Sequence, residues 1–143
     1  MADILKISDA TALALHSMAH LATLDDGQST TAEISEVFEV SRHHLAKVHQ
    51  RLTRAGLLES HRGPSGGVEL ARAPDETTLL EIYEAMEGPM DCRPCLFGKE
   101  ICPKNDCVLG VLLPGLARQV REYFDQTTLA QVAQESNWGI TKT

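Results

Sequence analysis

No stretch of this 143-residue chain approaches the roughly 20 consecutive apolar residues that cross a bilayer. The opening Met1-Ala2-Asp3-Ile4 has no basic stretch leading into an apolar one, so no secretory leader is expected and the sequence predicts a cytoplasmic protein. No hydrolytic triad, phosphate-binding glycine loop or paired-carboxylate site can be traced, so neither an enzyme nor a small-molecule substrate is expected. Internal repeats and low-complexity tracts are also missing. What remains is one ordinary globular domain, or a small domain with an appended helix, at a hydrophobic fraction of 43%.

Positive charge is scarce too: 13 Lys and Arg face 20 Asp and Glu, a net −7. That balance argues against nucleic acid until its distribution is considered. Between Ser41 and Arg72 the cations Arg42, Lys47, Arg51, Arg54, Arg62 and Arg72 oppose only Glu59 and Glu69, a local +4. The rest of the chain carries −11. A basic stripe on an acidic body is what a phosphate-contacting face requires, although a solvated helix face would carry the same charges.

The chain reads as short helices around one small hairpin. Ser8 or Asp9 can cap a first helix over residues 10–24, and Asp25-Asp26-Gly27 breaks it. Thr30-Thr31-Ala32-Glu33 is a capping box for a second helix through Phe38. After a tight turn at Glu39-Val40, Ser41 caps a third helix over 42–55, which Gly56 ends. Leu45, Val48, Leu52 and Ala55 form its core stripe. Residues 57–62 and 68–72 read as two strands around Gly63-Pro64-Ser65-Gly66-Gly67. A fourth helix is expected over 75–86, with a capping box at Thr78 and Glu81, stopped by Gly88-Pro89. A turn-rich segment holds all four cysteines, and an apolar-striped helix follows over 108–124. Pro114-Gly115 should kink that helix or delay its start. A last helical turn is expected over 129–133. The fold class is therefore mainly α with a small β-hairpin: a winged helix-turn-helix plus a long C-terminal helix.

Three short helices and a hairpin have a direct use on DNA. A helix with a buried back and a basic front fits the major groove. Its N-terminal residues Ser41, Arg42, His43, His44 and Lys47 are placed to meet base edges. Arg51 and Arg54 sit further back and suit phosphates. Arg62, at the start of the wing, suits a minor groove, with Gly63, Gly66 and Gly67 allowing close approach. His49 and His61 read as packing or surface residues, and His44 has packing as its alternative.

Cys92, Cys95, Cys102 and Cys107 follow Cys-x2-Cys-x6-Cys-x4-Cys. In a reduced compartment closely spaced thiols are ligands or redox groups rather than disulfides. Turns let them converge on one metal centre, either zinc or iron–sulfur. A thiol oxidoreductase using Cys92-Arg93-Pro94-Cys95 would need a strand before the motif, and none is patterned there. A winged helix that binds protein rather than DNA is a further alternative.

The sequence resembles the IscR/NsrR-type family of winged-helix regulators over nearly its whole length. Leu21-Ala22 matches, as does Ser41-x3-Leu45-x6-Leu52-x2-Ala55-Gly56-Leu57. The most characteristic string is Ser60-His61-Arg62-Gly63-Pro64-Ser65-Gly66-Gly67-x2-Leu70-Ala71. Glu87-Gly88 and Thr128-Leu129 continue the match. The resemblance implies a homodimer held by the long C-terminal helix, reading double-stranded promoter DNA at a pseudo-palindromic site. It implies a 2Fe-2S or 4Fe-4S cluster on Cys95, Cys102 and Cys107, with structural zinc or no metal as the alternative. Cys92 departs from the three-cysteine pattern and is a fourth ligand, an alternate to Cys95, or a free thiol. His16 aligns with a ligand that one branch supplies from the partner protomer's first helix; Asp9 matches less well, and a packed core histidine is the plainer reading of His16. The expected division is 1–75 for DNA binding, 76–107 for a connecting helix and cluster loop, and 108–143 for dimerisation and a tail.

Overall fold

A computed structural model describes residues 5–63, 66–90, 101–102 and 107–135. Local capping explains where most helices start. Ser8 caps α1 (Asp9–Thr23), its side chain accepting from Thr11 N–H. Both halves of the capping box form at Thr30 and Glu33, ahead of α2 (Thr31–Phe38). Glu39 then takes the left-handed conformation, φ 55°, and turns the chain into α3 (Arg42–Arg54), capped by Ser41.

The hairpin expected from sequence is β2 (Leu58–His61) and β3 (Gly67–Leu70), antiparallel. A strand not read from the sequence, β1 (Gln28–Ser29), pairs with the other edge of β3, giving the order β1-β3-β2. The fourth helix begins later than expected. Pro74–Glu76 is a single 3-10 turn, and α4 spans Leu79–Glu87 because Thr78 is its N-cap, sharing a capping box with Glu81. Residues 108–111 are turns, and α5 runs Leu112–Gln126. Pro114 therefore sits in the first turn, where its missing N–H is no loss. A short α6 (Leu129–Gln134) closes the described chain.

One core holds most of the molecule. Met18 and Leu21 of α1, Ile34 of α2, Leu45 and Leu52 of α3, Leu58 of β2, Ile82 of α4 and Leu129 of α6 are fully buried together. The junction of α5 and α6 is pinned to the start of α4: Leu129 N–H donates to the Thr77 carbonyl and Leu79 N–H to that of Thr127. A second, smaller cluster joins Leu80, Tyr83 and Met90 to Val120 and Phe124 of α5. Among the described residues no helix is long and apolar enough to cross a membrane.

Candidate nucleic-acid interface and cysteine segment

α3 divides cleanly by helical position. Leu45, Val48, His49 and Leu52 face the core. Ala55, expected on that stripe, is exposed instead: it is the C-cap, where the helix has already ended. At about 100° per residue, the face opposite the core is His43, Lys47, Gln50 and Arg54, and all four are exposed. Gln50 was not among the candidate residues, yet the same i, i+4, i+7, i+11 spacing selects it.

The remaining candidates lie on the flanks. Arg42 lines a cleft that α3 shares with the N-terminus of α2 and with Gly63, Gly66 and Gly67 of the wing. His44 lies on the other flank, in a groove lined also by Asp9, His16 and Phe38. Ser41 is spent on the cap, accepting from His44 N–H at 3.3 Å. Arg51 is exposed, but its Nη2 donates to the Met86 carbonyl of α4 at 2.6 Å in a part-buried bond. Arg72 is held by Glu81 at 2.8 Å, so it contributes little to the basic stripe.

His49 is an interior residue, 3% exposed, with Nδ1 3.0 Å from the Thr31 hydroxyl. Burial lowers its pKa from 6.5 to about 4. It is neutral near pH 7 and offers DNA no charge. His61 is exposed on the wing, with Nε2 2.7 Å from Glu69 Oε1. Arg62 and Gly63 are exposed beside it.

The wing glycines have steric reasons. A Cβ on Gly67 would lie 2.6 Å from the Ser29 carbonyl oxygen, because β1 passes directly against β3 there. A Cβ on Gly66 would lie 2.7 Å from the His61 carbonyl oxygen. Gly63 has φ 118°, which side chains rarely adopt. Pro64 and Ser65 lie outside the described residues.

Of the cysteines, Cys102 is exposed and Cys107 half-buried, and both are free thiols. Cys92 and Cys95 lie outside the described residues. Cys107 opens the turns 108–111 that precede α5, its carbonyl accepting from Gly110 N–H at 2.9 Å. Neither described thiol belongs to the buried core clusters. Among the described residues no group of three metal-binding side chains gathers. His16 is not a core histidine: it is exposed on α1, edge-on to Phe38. Its Nδ1 lies 2.6 Å from the Ala12 carbonyl, to which it donates.

α5 is apolar on two sides. Leu113 and Ala117 are buried, and Val120 and Phe124 pack on α4. On its other side and in the turns ahead of it, Val108, Val111, Leu112, Leu116 and Tyr123 are exposed, Val111 by 86%.

The family model described as Rrf2, iron-dependent transcriptional regulator, matches residues 7–135. A protein of Aquifex aeolicus named as an HTH-type transcriptional regulator is 32% identical over 125 residues, 85% of this chain and 87% of that protein. The fold is also that of CymR (YrzC), the global cysteine regulator of B. subtilis, at TM-score 0.76 and 28% identity, covering 92% of this chain and 98% of that one. IscR of T. potens aligns at TM-score 0.71 and 23% identity, over 97% of this chain and 94% of its own. The matched proteins carry the names of transcriptional regulators, not of enzymes.

Proposed function

This chain belongs to the Rrf2 family of transcriptional regulators, and from that premise we propose that it is a cytoplasmic homodimer whose grip on promoter DNA is set by an iron–sulfur cluster. The observation that carries the DNA half is the exposed stripe His43, Lys47, Gln50 and Arg54 beside the wing. A stripe of that length lies along one face of a helix that fits the major groove. Arg62 and Gly63 on the wing reach the flanking backbone or minor groove.

The cluster half rests on thiols. Cys95, Cys102 and Cys107 hold the cluster, with Cys92 in reserve and His16 of the partner protomer as a further candidate ligand. Such a cluster, when bound, supplies iron–thiolate bonds that respond to oxidation, nitric oxide and iron supply. Cys107 lies ahead of the turns 108–111 that lead into α5, so a change in its ligation acts through those turns on the base of that helix. The exposed apolar side of α5 meets the same side of a second copy, in the isologous contact of a two-fold dimer. Spacing between the two recognition helices must match about one turn of DNA, so a small shift at the dimer helix changes affinity.

The likeness to CymR, the global cysteine regulator of B. subtilis, favours one second reading, a member of the family that answers another signal with zinc or no metal. Anaerobic purification with an absorbance spectrum and iron and zinc analysis separates the two. The cluster reading expects a brown protein with iron bound through Cys95, Cys102 and Cys107. A colourless protein, with zinc or without metal, selects the alternative.

A further inference from the structure

Three elements converge on the C-terminal end of α4. Arg51 of α3 donates to the Met86 carbonyl at 2.6 Å. The Glu87 carboxylate accepts from the Thr11 hydroxyl and from Ser8 N–H at the start of α1. The Met90 carbonyl accepts from Arg121 of α5 at 3.2 Å. The last four carbonyls of a helix have no partner within it, and a cation there is favoured by the helix dipole. Arg51 fills that role for α4 from a different helix.

We propose that Arg51 is a positioning residue: it caps α4 through the Met86 carbonyl, fixes the angle at which α3 is presented to DNA, and makes no phosphate contact of its own. The physical basis is constraint. The buried stripe of α3 holds the helix against the core but leaves its roll to contacts on the two flanks. On the wing flank, the Thr53 and Ser60 hydroxyls lie 3.2 Å apart. On the other flank, the Arg51 side chain bonds the Met86 carbonyl and so joins α3 to α4. The bond holds the guanidinium at the α4 side of the helix, and swinging it away toward a phosphate would cost a charge-assisted bond and leave a part-buried carbonyl without a donor. Lys47 and Arg54, on the face away from the core, have no such tie among the described residues. Residues 86–90 run in sequence into the cysteine segment. On the proposed cluster reading, the same bond therefore links α3 to the sensing half of the chain.

Salt dependence separates positioning from phosphate contact. The slope of log affinity against log salt falls by about 0.9 for each phosphate that the protein ceases to neutralise. The probe is a duplex selected by the wild-type chain from a random-sequence pool, with thermal unfolding as the check on folding. Lys47→Gln serves as the control and should lower the slope by about 0.9 per protomer. Arg51→Met should weaken binding about tenfold, the scale of one charge-assisted hydrogen bond, with the slope unchanged. Arg51→Lys should restore part of the loss. Should Arg51→Met not fold, Arg51→Gln keeps a donor without the charge and should likewise leave the slope intact. A slope lowered as far as by Lys47→Gln, or an affinity equal to wild type, overturns the proposal. Made on wild type and variants of matched iron content, with folding checked separately, these measurements judge Arg51 whether or not the cluster reading holds.

Discussion

His49 Nδ1 and the Thr31 hydroxyl stand 3.0 Å apart inside the protein, tying the recognition helix to the start of α2. Burial keeps the ring neutral there by lowering the pKa of His49 to about 4. The unfolded chain protonates this histidine near pH 6.5 and the folded chain only near 4. Between those values the unfolded state binds the extra proton, so stability falls as pH falls through that window. It is fully present above the window and declines no further, on account of His49, below it. The full loss is about 3 kcal/mol. Denaturant midpoints at neutral pH and at several points down to pH 4 should show this decline in the wild type and a shallower one in His49→Gln. Parallel curves for the two proteins would assign the acid sensitivity elsewhere.

How far the sequence foretold these features depended on the distance over which each is decided. The capping boxes at Thr30 with Glu33 and at Thr78 with Glu81 were legible because three residues decide them. The second of them also explains the late start of α4: a residue that caps a helix cannot lie inside it. The outward stripe of α3 was legible from its period, and Gln50 belonged on it. The strand β1 was not legible, since two residues carry no pattern and their pairing with β3 spans about forty positions of chain. The tie of Arg51 to α4 was hidden for a related reason. Periodicity gives a side chain's direction but not the neighbour waiting there, and Met86 is 35 residues away.

Gly67→Ala should damage the wing selectively. The added Cβ would sit 2.6 Å from the Ser29 carbonyl oxygen, so β1 and β3 must separate. Overpacking of this kind costs roughly 1–3 kcal/mol. Thermal unfolding should show the lower stability, and DNA affinity should fall with it. Gly56→Ala makes the contrast: there a Cβ meets nothing within 4 Å, and only the φ of 78° opposes it. If Gly67→Ala unfolded like the wild type, the close approach of β1 to β3 would be wrong.

The outer side of α5 should behave as an interface. Leu112→Glu combined with Leu116→Glu places charges on exposed positions, 52% and 36% accessible, leaving the packing of Leu113 and Ala117 untouched. Sedimentation should show a dimer in the wild type and a monomer in the double variant, with helical content retained. A double variant that still sediments as a dimer would move the interface off this face.

The central claim joins two halves of the molecule: thiols ahead of α5 govern a DNA-reading face on α3. One measurement meets it directly, the affinity for a selected duplex, under anaerobic conditions, of the wild type against Cys95→Ala/Cys102→Ala/Cys107→Ala. The account predicts a loss of visible absorbance in the variant and a change in affinity of about tenfold or more, the scale of an allosteric coupling energy. Equal absorbance and equal affinity in the two proteins would contradict it.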